Sequence, residues 1–290
     1  MAPVTLTDDL LGWFDGAARN LPWRDPQAGP WAVLVSEVML QQTPVARVLP
    51  AYEAWLGRWP SPQALAADSR GEALRMWGRL GYPRRALRLH EAAVAIVEHH
   101  DGQVPSQLAD LLALPGVGAY TARAVAAFGF HQRQAVVDTN VRRVAARLVA
   151  GQSRLAPSAS GDLALVEPLL PDDPHTAARL SVALMELGAL VCTARSPRCA
   201  GCPVSARCAW RAAGYPAPTG PATPAQGYTG TDRQVRGLLL AVLRATRDPV
   251  PASALDAVWS DTTQRTRALQ ALITDGLVHA RPDGKYALPV

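Results

Sequence analysis

The sequence predicts an all-α protein, and three observations support that fold class. Apolar residues recur at steps of three and four along most of the chain, as at Val141, Val144 and Leu148, which is the spacing of one helix face. Alternating polar and apolar runs, the pattern of half-buried strands, are scarce. The chain has 290 residues, of which 49% are hydrophobic, enough to pack one large domain or two unequal ones.

The N-terminus and the charge balance narrow the class of protein. The opening segment MAPVTLTDDLLGWF lacks the basic flank and apolar core of a secretion signal, and no apolar run approaches the ~20 residues that span a bilayer. A cytoplasmic protein is therefore expected. The 29 basic residues exceed the 24 acidic ones, and Lys285 is the only lysine. The excess of basic residues favours an anionic partner. No reaction that needs a lysine side chain can use residues 1–284.

A candidate general acid lies in the stretch WAVLVSEVMLQQTPV, residues 31–45. If the stretch is helical, the same-face neighbours of Glu37 are mostly apolar: Val33, Leu34, Leu40 and Gln41. Burial disfavours the carboxylate anion, so we expect the pKa of Glu37 to rise toward that of a usable general acid. The alternative is a solvated glutamate at the edge of a core helix.

The stretch LPGVGAYTARAVAAF, residues 114–128, sets Pro115 and two glycines between two apolar helical runs. A bare turn of this type exposes backbone N–H groups at the start of the second helix, where the helix dipole favours negative charge. Glycine also lets a phosphate approach closely. The turn therefore indicates a phosphate site, with an ordinary helix–helix loop as the alternative.

A second carboxylate stands in AVVDTNVRRVAARL, residues 135–148. Asp138 directly precedes a helical pattern, so capping of that helix is its ordinary structural role. Glu37 and Asp138 together would nevertheless supply an acid and an anion able to stabilise a developing cation. That pairing is what cleavage of a glycosidic bond requires.

All four cysteines lie in CTARSPRCAGCPVSARC, residues 192–208, with the spacing C-x6-C-x2-C-x5-C. Thiolates so close in sequence can wrap one metal centre, and a chain without a secretion signal is expected to keep them reduced. A zinc ribbon normally has two C-x2-C pairs, whereas only Cys199 and Cys202 form one here. Because cubane iron–sulfur clusters are also held by four cysteines, the spacing favours such a cluster over zinc.

The C-terminal part changes in composition at residues 214–230, GYPAPTGPATPAQGYTG, which are rich in proline and glycine and indicate a linker. The elements expected beyond it are helices near residues 232–246, 252–258 and 262–275 and a hairpin turn at Asp283 and Gly284. Three helices and a hairpin form a small winged-helix-like module over residues 231–290. Its Arg265 and Arg267 either contact phosphate or lie on a solvated helix face.

Six motifs, in order, resemble those of the helix-hairpin-helix DNA glycosylases, and within that superfamily the adenine glycosylases of the MutY type. They are LPWRDP (21–26), SEVMLQQTPV (36–45), GRLGYPRRALRLH (78–90), LPGVGAYTARAV (114–125), VVDTNVRRV (136–144) and LGALVCTARSPRCAGCP (187–203). The resemblance covers about residues 5–213. It implies a catalytic region over residues 1–213, folded as two helical lobes with double-stranded DNA bound across the cleft between them.

The resemblance also implies a cofactor and a tail that differs from the family pattern. The cofactor is a [4Fe–4S] cluster on the four cysteines: Cys192, Cys199, Cys202 and Cys208. Adenine glycosylases of this type commonly carry a NUDIX-like domain that checks for 8-oxoguanine. Residues 231–290 are too few to build that domain.

The same resemblance implies how the reaction proceeds in base excision repair. An adenine mispaired with 8-oxoguanine or guanine is rotated out of the duplex and protonated at N7 by Glu37. The N-glycosidic bond then breaks through an oxocarbenium-like state that Asp138 stabilises. Tyr120 and Asn140 match positions that assist these carboxylates by hydrogen bonding. The chain is expected to act as a monomer.

Further residues match positions that contact DNA in the family. Backbone amides of the hairpin would hold a DNA phosphate, directly or through a bound monovalent cation: Gly116, Val117 and Gly118. Three side chains match residues that wedge into the base stack near the mispair: Gln41, Gln42 and Tyr82. Two match the segment that lines the adenine pocket: Trp23 and Arg24.

Three alternative functions remain open at this point. An endonuclease III-like glycosylase-lyase needs a lysine in the second hairpin helix to form a Schiff base, and Tyr120 stands there, so a monofunctional, hydrolytic glycosylase is expected. A mismatch thymine glycosylase also has tyrosine at this position, and Thr139 stands where adenine glycosylases commonly have glycine, but SEVMLQQT favours adenine. A non-catalytic DNA-binding protein would use Glu37 for structure alone.

Overall fold

The computed structural model describes residues 5–155, 158–218 and 227–290. In chain order its helices are α1 (Leu6–Ala17), α2 (Gly29–Leu40), α3 (Val45–Arg58), α4 (Pro62–Ala66), α5 (Arg70–Trp77), α6 (Arg84–His99), α7 (Leu108–Ala113), α8 (Ala119–Phe130), α9 (Thr139–Leu148), α10 (Ala159–Val166), α11 (Pro174–Leu190), α12 (Ala209–Ala212), α13 (Asp232–Arg244), α14 (Ala252–Asp256) and α15 (Thr262–Thr274). Single 3₁₀ turns occupy Pro22–Arg24, Glu167–Leu169, Cys199–Gly201 and Ser205–Arg207. The described strands are short: β1 (Val250–Pro251), β2 (His279–Ala280) and β3 (Lys285–Ala287). The predicted all-α fold class is confirmed, and no helix in the described ranges is long and apolar enough to cross a membrane.

The described residues divide into two compact units. Unit 1 lies within Met1–Leu34, Ser106–Leu112 and Val117–Ala222, and unit 2 lies within Val35–Pro105, Ala113–Gly116 and Thr223–Val290. The chain passes between the units inside α2, just before α7, at the last residue of α7 and after Gly116. Each unit has its own set of packed helices.

Unit 1 is organised around α11, which packs against α9 and α1. Leu10 of α1 and Leu184 of α11 are both buried in this core. Each of the three helices begins at a side-chain cap: Thr5 for α1, Asp138 for α9 and Asp173 for α11. A cap satisfies an amide that the first turn leaves unpaired, so local sequence fixes where these helices start.

In unit 2, α6 packs against α4 and α5, and three tryptophans fill the neighbouring core. The rings of Trp59 and Trp77 meet the ring of Trp55 edge to face, with centroids 4.6 and 5.6 Å away. Edge-to-face aromatic pairs add about 1 kcal/mol beyond the area that they bury. Nε1 of Trp77 also donates to the carbonyl of Gly81 at 2.9 Å, so this cluster contacts the loop that joins α5 to α6.

The C-terminal module has the topology of a winged helix. Its elements follow the order α13, β1, α14, α15, β2, β3, and the antiparallel sheet has the strand order β1-β3-β2. Val250 pairs with Tyr286, and His279 pairs with Ala287. The hairpin turns at Asp283 and Gly284, as predicted, with Gly284 at a φ of 75°. The predicted helices and the winged-helix-like architecture are confirmed.

The module packs against α5 within unit 2. Nη1 of Arg75 donates to the carbonyls of Leu243, Arg244 and Thr246, at the end of α13. In return, Nε of Arg244 donates to the carbonyl of Leu74, 2.9 Å away. Two arginines therefore cap each other's helix ends, and the module belongs to the same compact unit as residues 35–105. Of the expected linker, residues 219–226 lie outside the described residues.

Candidate active site

Asp138 lies at the N-terminus of α9 and has two hydrogen-bond donors. Its Oδ1 accepts from the backbone N–H of Val141 at 2.7 Å, and its Oδ2 accepts from Nδ2 of Asn140 at 2.8 Å. Both donors and the positive end of the helix favour a negative charge at this point. The carboxylate is half-buried, so it can present an anion while its geometry stays fixed.

The amide of Asn140 is itself held by Arg143. Nη2 of Arg143 donates to Oδ1 of Asn140 at 2.8 Å and to the carbonyl of Gly188 at 2.6 Å, while its Nε donates to the carbonyl of Cys192 at 2.6 Å. Burial lowers the pKa of the Arg143 guanidinium. A continuous chain of hydrogen bonds therefore joins Asp138 to the backbone of the cysteine loop.

Gly188 makes the contact between α9 and α11 close enough for this chain. A Cβ at position 188 would come within 2.7 Å of Cβ of Asn140 and 2.9 Å of its carbonyl oxygen. A larger residue must push the two helices apart. Neither Gly188 nor Arg143 was singled out from the sequence. The only sequence signal for Arg143 is the pair of adjacent arginines in the motif that contains Asn140.

The four cysteines line a single pocket in unit 1, together with Arg147, Ser205 and Trp210. Each is half-buried, and within the described residues none takes part in a disulfide. Cys192 follows α11, and Cys199 and Cys202 flank a 3₁₀ turn. Cys208 is the residue before α12. The loop therefore brings all four predicted ligands to one place.

The surroundings of the cysteine pocket fit an anionic metal–thiolate group. Burial raises the pKa of the Cys202 thiol to about 11, so its thiolate needs a bound metal to compensate the charge. Nη1 of Arg147 lies 3.4 Å from Sγ of Cys192, and its guanidinium stacks over the ring of Trp210 at 4.6 Å. A cation above four thiolates suits a cluster with net negative charge.

Glu37 lies on α2, in unit 2, and is only 7% exposed. The helix is buried continuously from residue 31 to residue 39, including Val33 and Leu34, because nearly every side chain in that stretch is apolar. The expectation of an apolar setting on the helix is therefore met, and a solvated position at the edge of the core is not observed.

The hairpin between α7 and α8 has the bare turn that its sequence indicates. Gly116 has a φ of 77°, and a Cβ there would lie 2.5 Å from Cβ of Arg88, so both the backbone and the space require glycine. Gly118 precedes α8, and no described side chain caps that helix. Val117 is buried. Tyr120, in the first turn, packs on Ala124, Ala127 and Val136.

The three predicted wedge residues lie in two segments of unit 2, where Gln42 and Tyr82 are exposed and Gln41 is half-buried. Gln41 and Gln42 follow α2, and Tyr82 lies in the loop before α6. Gln42 has a φ of 54° and Tyr82 a φ of 46°, a region that non-glycine residues rarely adopt. The side chain of Tyr82 is 49% exposed. One arginine, Arg85, contacts both segments.

The Pro22–Arg24 turn is held by a buried carboxylate of α11. Glu186 is 0% exposed. It accepts from Nε and Nη2 of Arg19, at 2.8 and 2.7 Å, and from Nη2 of Arg24 at 2.8 Å. Burial alone would raise the pKa of Glu186, but the hydrogen bonds from these arginines outweigh it and lower the pKa to about 2. Trp23 is buried beside them. Glu186 was not recognised from sequence.

The arginines of the C-terminal module are engaged in ion pairs. Arg267 donates to both carboxylate oxygens of Asp232, at 2.7 and 2.8 Å, and Nη2 of Arg265 lies 2.9 Å from the carboxylate of Asp256. The side chain of Arg267 is 60% exposed and that of Arg265 is 12% exposed, and these ion pairs do not decide between the two roles expected for the arginines.

Comparisons with known proteins identify relatives along the whole chain. A family described as HhH-GPD superfamily base excision DNA repair protein matches residues 35–160, and the iron-sulfur binding domain of endonuclease III matches residues 192–208. The chain is 56% identical over 283 residues to the adenine DNA glycosylase of Mycobacterium tuberculosis, covering 97% of this chain and 92% of that protein. It is 57% identical over 281 residues to that of Mycolicibacterium smegmatis, covering 97% and 94%. A solved thermostable thymine-DNA glycosylase matches with a TM-score of 0.65 and 27% identity, covering 71% of this chain and 95% of that one.

Proposed function

The chain belongs to the family of adenine DNA glycosylases of base excision repair, and from this premise we propose that it hydrolyses the N-glycosidic bond of adenine mispaired with 8-oxoguanine or guanine. The observation that carries the proposal is the contrast between two carboxyl groups. Glu37 is 7% exposed on a helix of mostly apolar residues, and Asp138 is half-buried at the N-terminus of α9, next to the positive end of the helix dipole. One setting suits a proton donor and the other suits an anion.

In the proposed reaction, the carboxyl group of Glu37 gives its proton to N7 of the extruded adenine. The bond between N9 and C1′ breaks, its electron pair leaves with the base, and positive charge develops on the sugar. Asp138 stabilises that charge, with Asn140 and Tyr120 as supporting residues. Addition of water to C1′ then yields an abasic site and completes the hydrolysis.

The proposed enzyme is monofunctional. A lyase step needs an amine that forms a Schiff base with the sugar, and the chain has no lysine before Lys285. Tyr120, in the first turn of α8, packs on alanine and valine side chains. The DNA strand should therefore remain intact after base release until alkali cleaves it.

DNA contacts are assigned to the hairpin, the two wedge segments and the Pro22–Arg24 turn. We infer that the amides of Gly116, Val117 and Gly118 hold a phosphate, directly or through a monovalent cation, because no described side chain caps α8. The wedge is assigned to Gln41, Gln42 and Tyr82. The pocket segment is assigned to Trp23 and Arg24. The enzyme is proposed to act as a monomer.

The chain binds a [4Fe–4S] cluster through the domain that residues 192–208 match, and the four cysteines are proposed as its ligands: Cys192, Cys199, Cys202 and Cys208. When bound, the cluster cross-links the loop that holds Arg143 and thereby Asn140. We divide the sequence into three segments. Residues 1–213 form the catalytic region, residues 214–230 are the linker, and residues 231–290 form the winged-helix module.

Single-turnover base release from four duplexes tests the proposal. The duplexes carry adenine opposite 8-oxoguanine, guanine or thymine, and thymine opposite guanine, each assayed with and without alkali. We expect alkali-dependent strand breaks with the first two only. Release of thymine would instead favour a mismatch thymine glycosylase. The thermostable protein that matches in structure is named a thymine-DNA glycosylase. Breaks without alkali would indicate a lyase.

A further inference from the structure

Arg85, in the first turn of α6, caps the end of the helix that carries Glu37. Its Nη1 donates to the carbonyls of Val38, Met39 and Gln41, at 2.8, 3.0 and 2.6 Å. The carbonyls of Val38 and Met39 lie in the last turn of α2, where carbonyls have no partner within the helix, and Gln41 is the first residue after Leu40, at which α2 ends. A single guanidinium nitrogen therefore caps the C-terminal end of α2, which Gln41 and Gln42 directly follow.

The other side of the same guanidinium holds the loop before α6. Nη2 donates to Oγ1 of Thr43 at 3.0 Å and to the carbonyl of Gly81 at 3.1 Å. The guanidinium carbon also lies 5.5 Å from the ring centre of Tyr82 and 5.2 Å from that of Trp77. Arg85 thus contacts both wedge segments, which are 40 positions apart along the chain.

The Arg85 guanidinium is half-buried, and no carboxylate is among the groups that it contacts in the described residues. Burial lowers its pKa to about 10, so it stays protonated at neutral pH, stabilised by the negative end of α2. No described group accepts a hydrogen bond from its buried Nε. A cation in this setting is retained at an energetic cost, which argues for a role beyond filling space.

Backbone strain lies on both sides of Arg85. Gln42 and Tyr82 both have a positive φ, and a non-glycine residue in that region costs on the order of 1 kcal/mol. Such residues persist only when their surroundings hold them. The carbonyl of Gln41 and the carbonyl of Gly81 are the anchors immediately before the two strained residues, and Arg85 binds both.

We propose that Arg85 is a positioning residue that holds the two wedge segments, Gln41 with Gln42 and Tyr82, in one preset arrangement and so sets the preference for mispaired adenine. The inference rests on the proposed function, because the wedge residues are part of it. A preset wedge does not spend binding energy on ordering two loops, and a wedge held in one position favours the duplex that costs least to unstack, which is the mispaired one.

The test compares Arg85→Met and Arg85→Lys with the control Arg75→Met. Arg75 also donates to three backbone carbonyls at a helix end within unit 2, and it pairs in addition with Glu72. It contacts neither wedge segment through the bonds described. Single-turnover rates are measured with adenine opposite 8-oxoguanine and opposite thymine, and each preparation is corrected for its active fraction by burst amplitude.

We expect Arg85→Met to lower the rate on the mispair by about 10- to 100-fold, as small misplacements do, and to lower the mispair-to-thymine rate ratio. Arg85→Lys should not restore the ratio, because an ammonium lacks the planar fork of the guanidinium. Arg75→Met should lower the melting temperature with the ratio unchanged. Fluorescence of 2-aminopurine placed opposite 8-oxoguanine should rise less with Arg85→Lys than with wild type.

A double-mutant cycle with Tyr82→Leu separates positioning from general stability. If Arg85 acts through Tyr82, the double variant is little slower than the slower single variant. The proposal is overturned if both Arg85 variants keep the wild-type ratio, or if the two effects multiply. If Arg85→Met does not fold, the rate ratio of Arg85→Lys is compared with that of wild type instead. The wild-type enzyme is assayed first. If it does not release adenine, the proposed function is overturned, and this outcome is distinct from an effect of the Arg85 variants.

Discussion

The carbonyl oxygen of Cys192 accepts a hydrogen bond from Nε of Arg143 at 2.6 Å. Through this bond the first cysteine of the loop is joined to the residue that holds Asn140, and Asn140 in turn donates to Asp138. The loop proposed to carry the cluster and the carboxylate proposed to stabilise the sugar cation therefore share one rigid frame within unit 1.

The frame predicts the effect of removing Asn140. Asn140→Ala deletes the donor to Oδ2 of Asp138 and the acceptor for Arg143, so we expect the single-turnover rate to fall by about tenfold. The visible absorbance of the cluster should persist, because no cysteine is touched. In an Asp138→Asn background, the same change should have little further effect. Equal losses in both backgrounds would show that Asn140 does not act through Asp138.

The cysteine pocket predicts a loss of cofactor and of stability together. Cys202→Ser replaces a proposed ligand by a poorer one, so iron content and visible absorbance should fall. The melting temperature should fall with them, since ligands that bind only the folded protein stabilise it. Ser205→Ala, at a non-cysteine position of the same pocket, serves as the control and should keep its iron. Full iron content in Cys202→Ser would contradict the ligand assignment.

Glu186 predicts a particular pH dependence of stability. Its pKa is about 2 in the folded protein, below an ordinary value near 4.5, so the stabilisation is present above pH 4.5 and is lost as the pH falls toward 2. Glu186→Gln should leave Arg19 and Arg24, which are 37% and 20% exposed, without their anion and destabilise the protein at pH 7 by about 1–3 kcal/mol. Its urea midpoint should depend less on pH between 4.5 and 2 than that of wild type. Parallel curves would refute the assignment.

Gly71 predicts how the C-terminal module depends on close packing. A Cβ at this position would lie 2.5 Å from the carbonyl oxygen of Pro289, so Gly71→Val must displace the module and should destabilise the protein by about 1–3 kcal/mol. Cleavage by protease after residue 231 should become faster. Gly12→Ala, inside α1, meets nothing within 4 Å; it should not destabilise the protein and is the control for the rate of cleavage. Unchanged proteolysis of Gly71→Val would show that the module does not depend on this contact.

Features with a local pattern were predictable from sequence. Asp138 precedes a helical pattern and caps the helix, as that position predicts. The apolar neighbours of Glu37 in the sequence predicted that Glu37 is buried. The three helices and the hairpin of the C-terminal module were also placed within two residues of their observed ends. Each rests on residues within a few positions of one another, where helix periodicity and turn chemistry act.

Features that depend on distant partners were not predictable in this way. Glu186 meets Arg19 across 167 positions, and Arg75 meets Arg244 across 169. The strand β1 has two residues, too few to show an alternating pattern, and exists because β3 pairs with it. Arg85 lies within a recognised motif, yet its role appears only when α2 and the Tyr82 loop are folded around it.

The most direct test of the account is base release by wild type and by Glu37→Gln in parallel, with adenine opposite 8-oxoguanine, under single-turnover conditions and alongside a DNA-binding measurement. The substitution keeps the shape of the side chain and removes only the group that can carry the proton. The account predicts a loss of at least about 100-fold in rate with binding retained. Wild-type rates in Glu37→Gln would contradict it, because the proton would then come from another group.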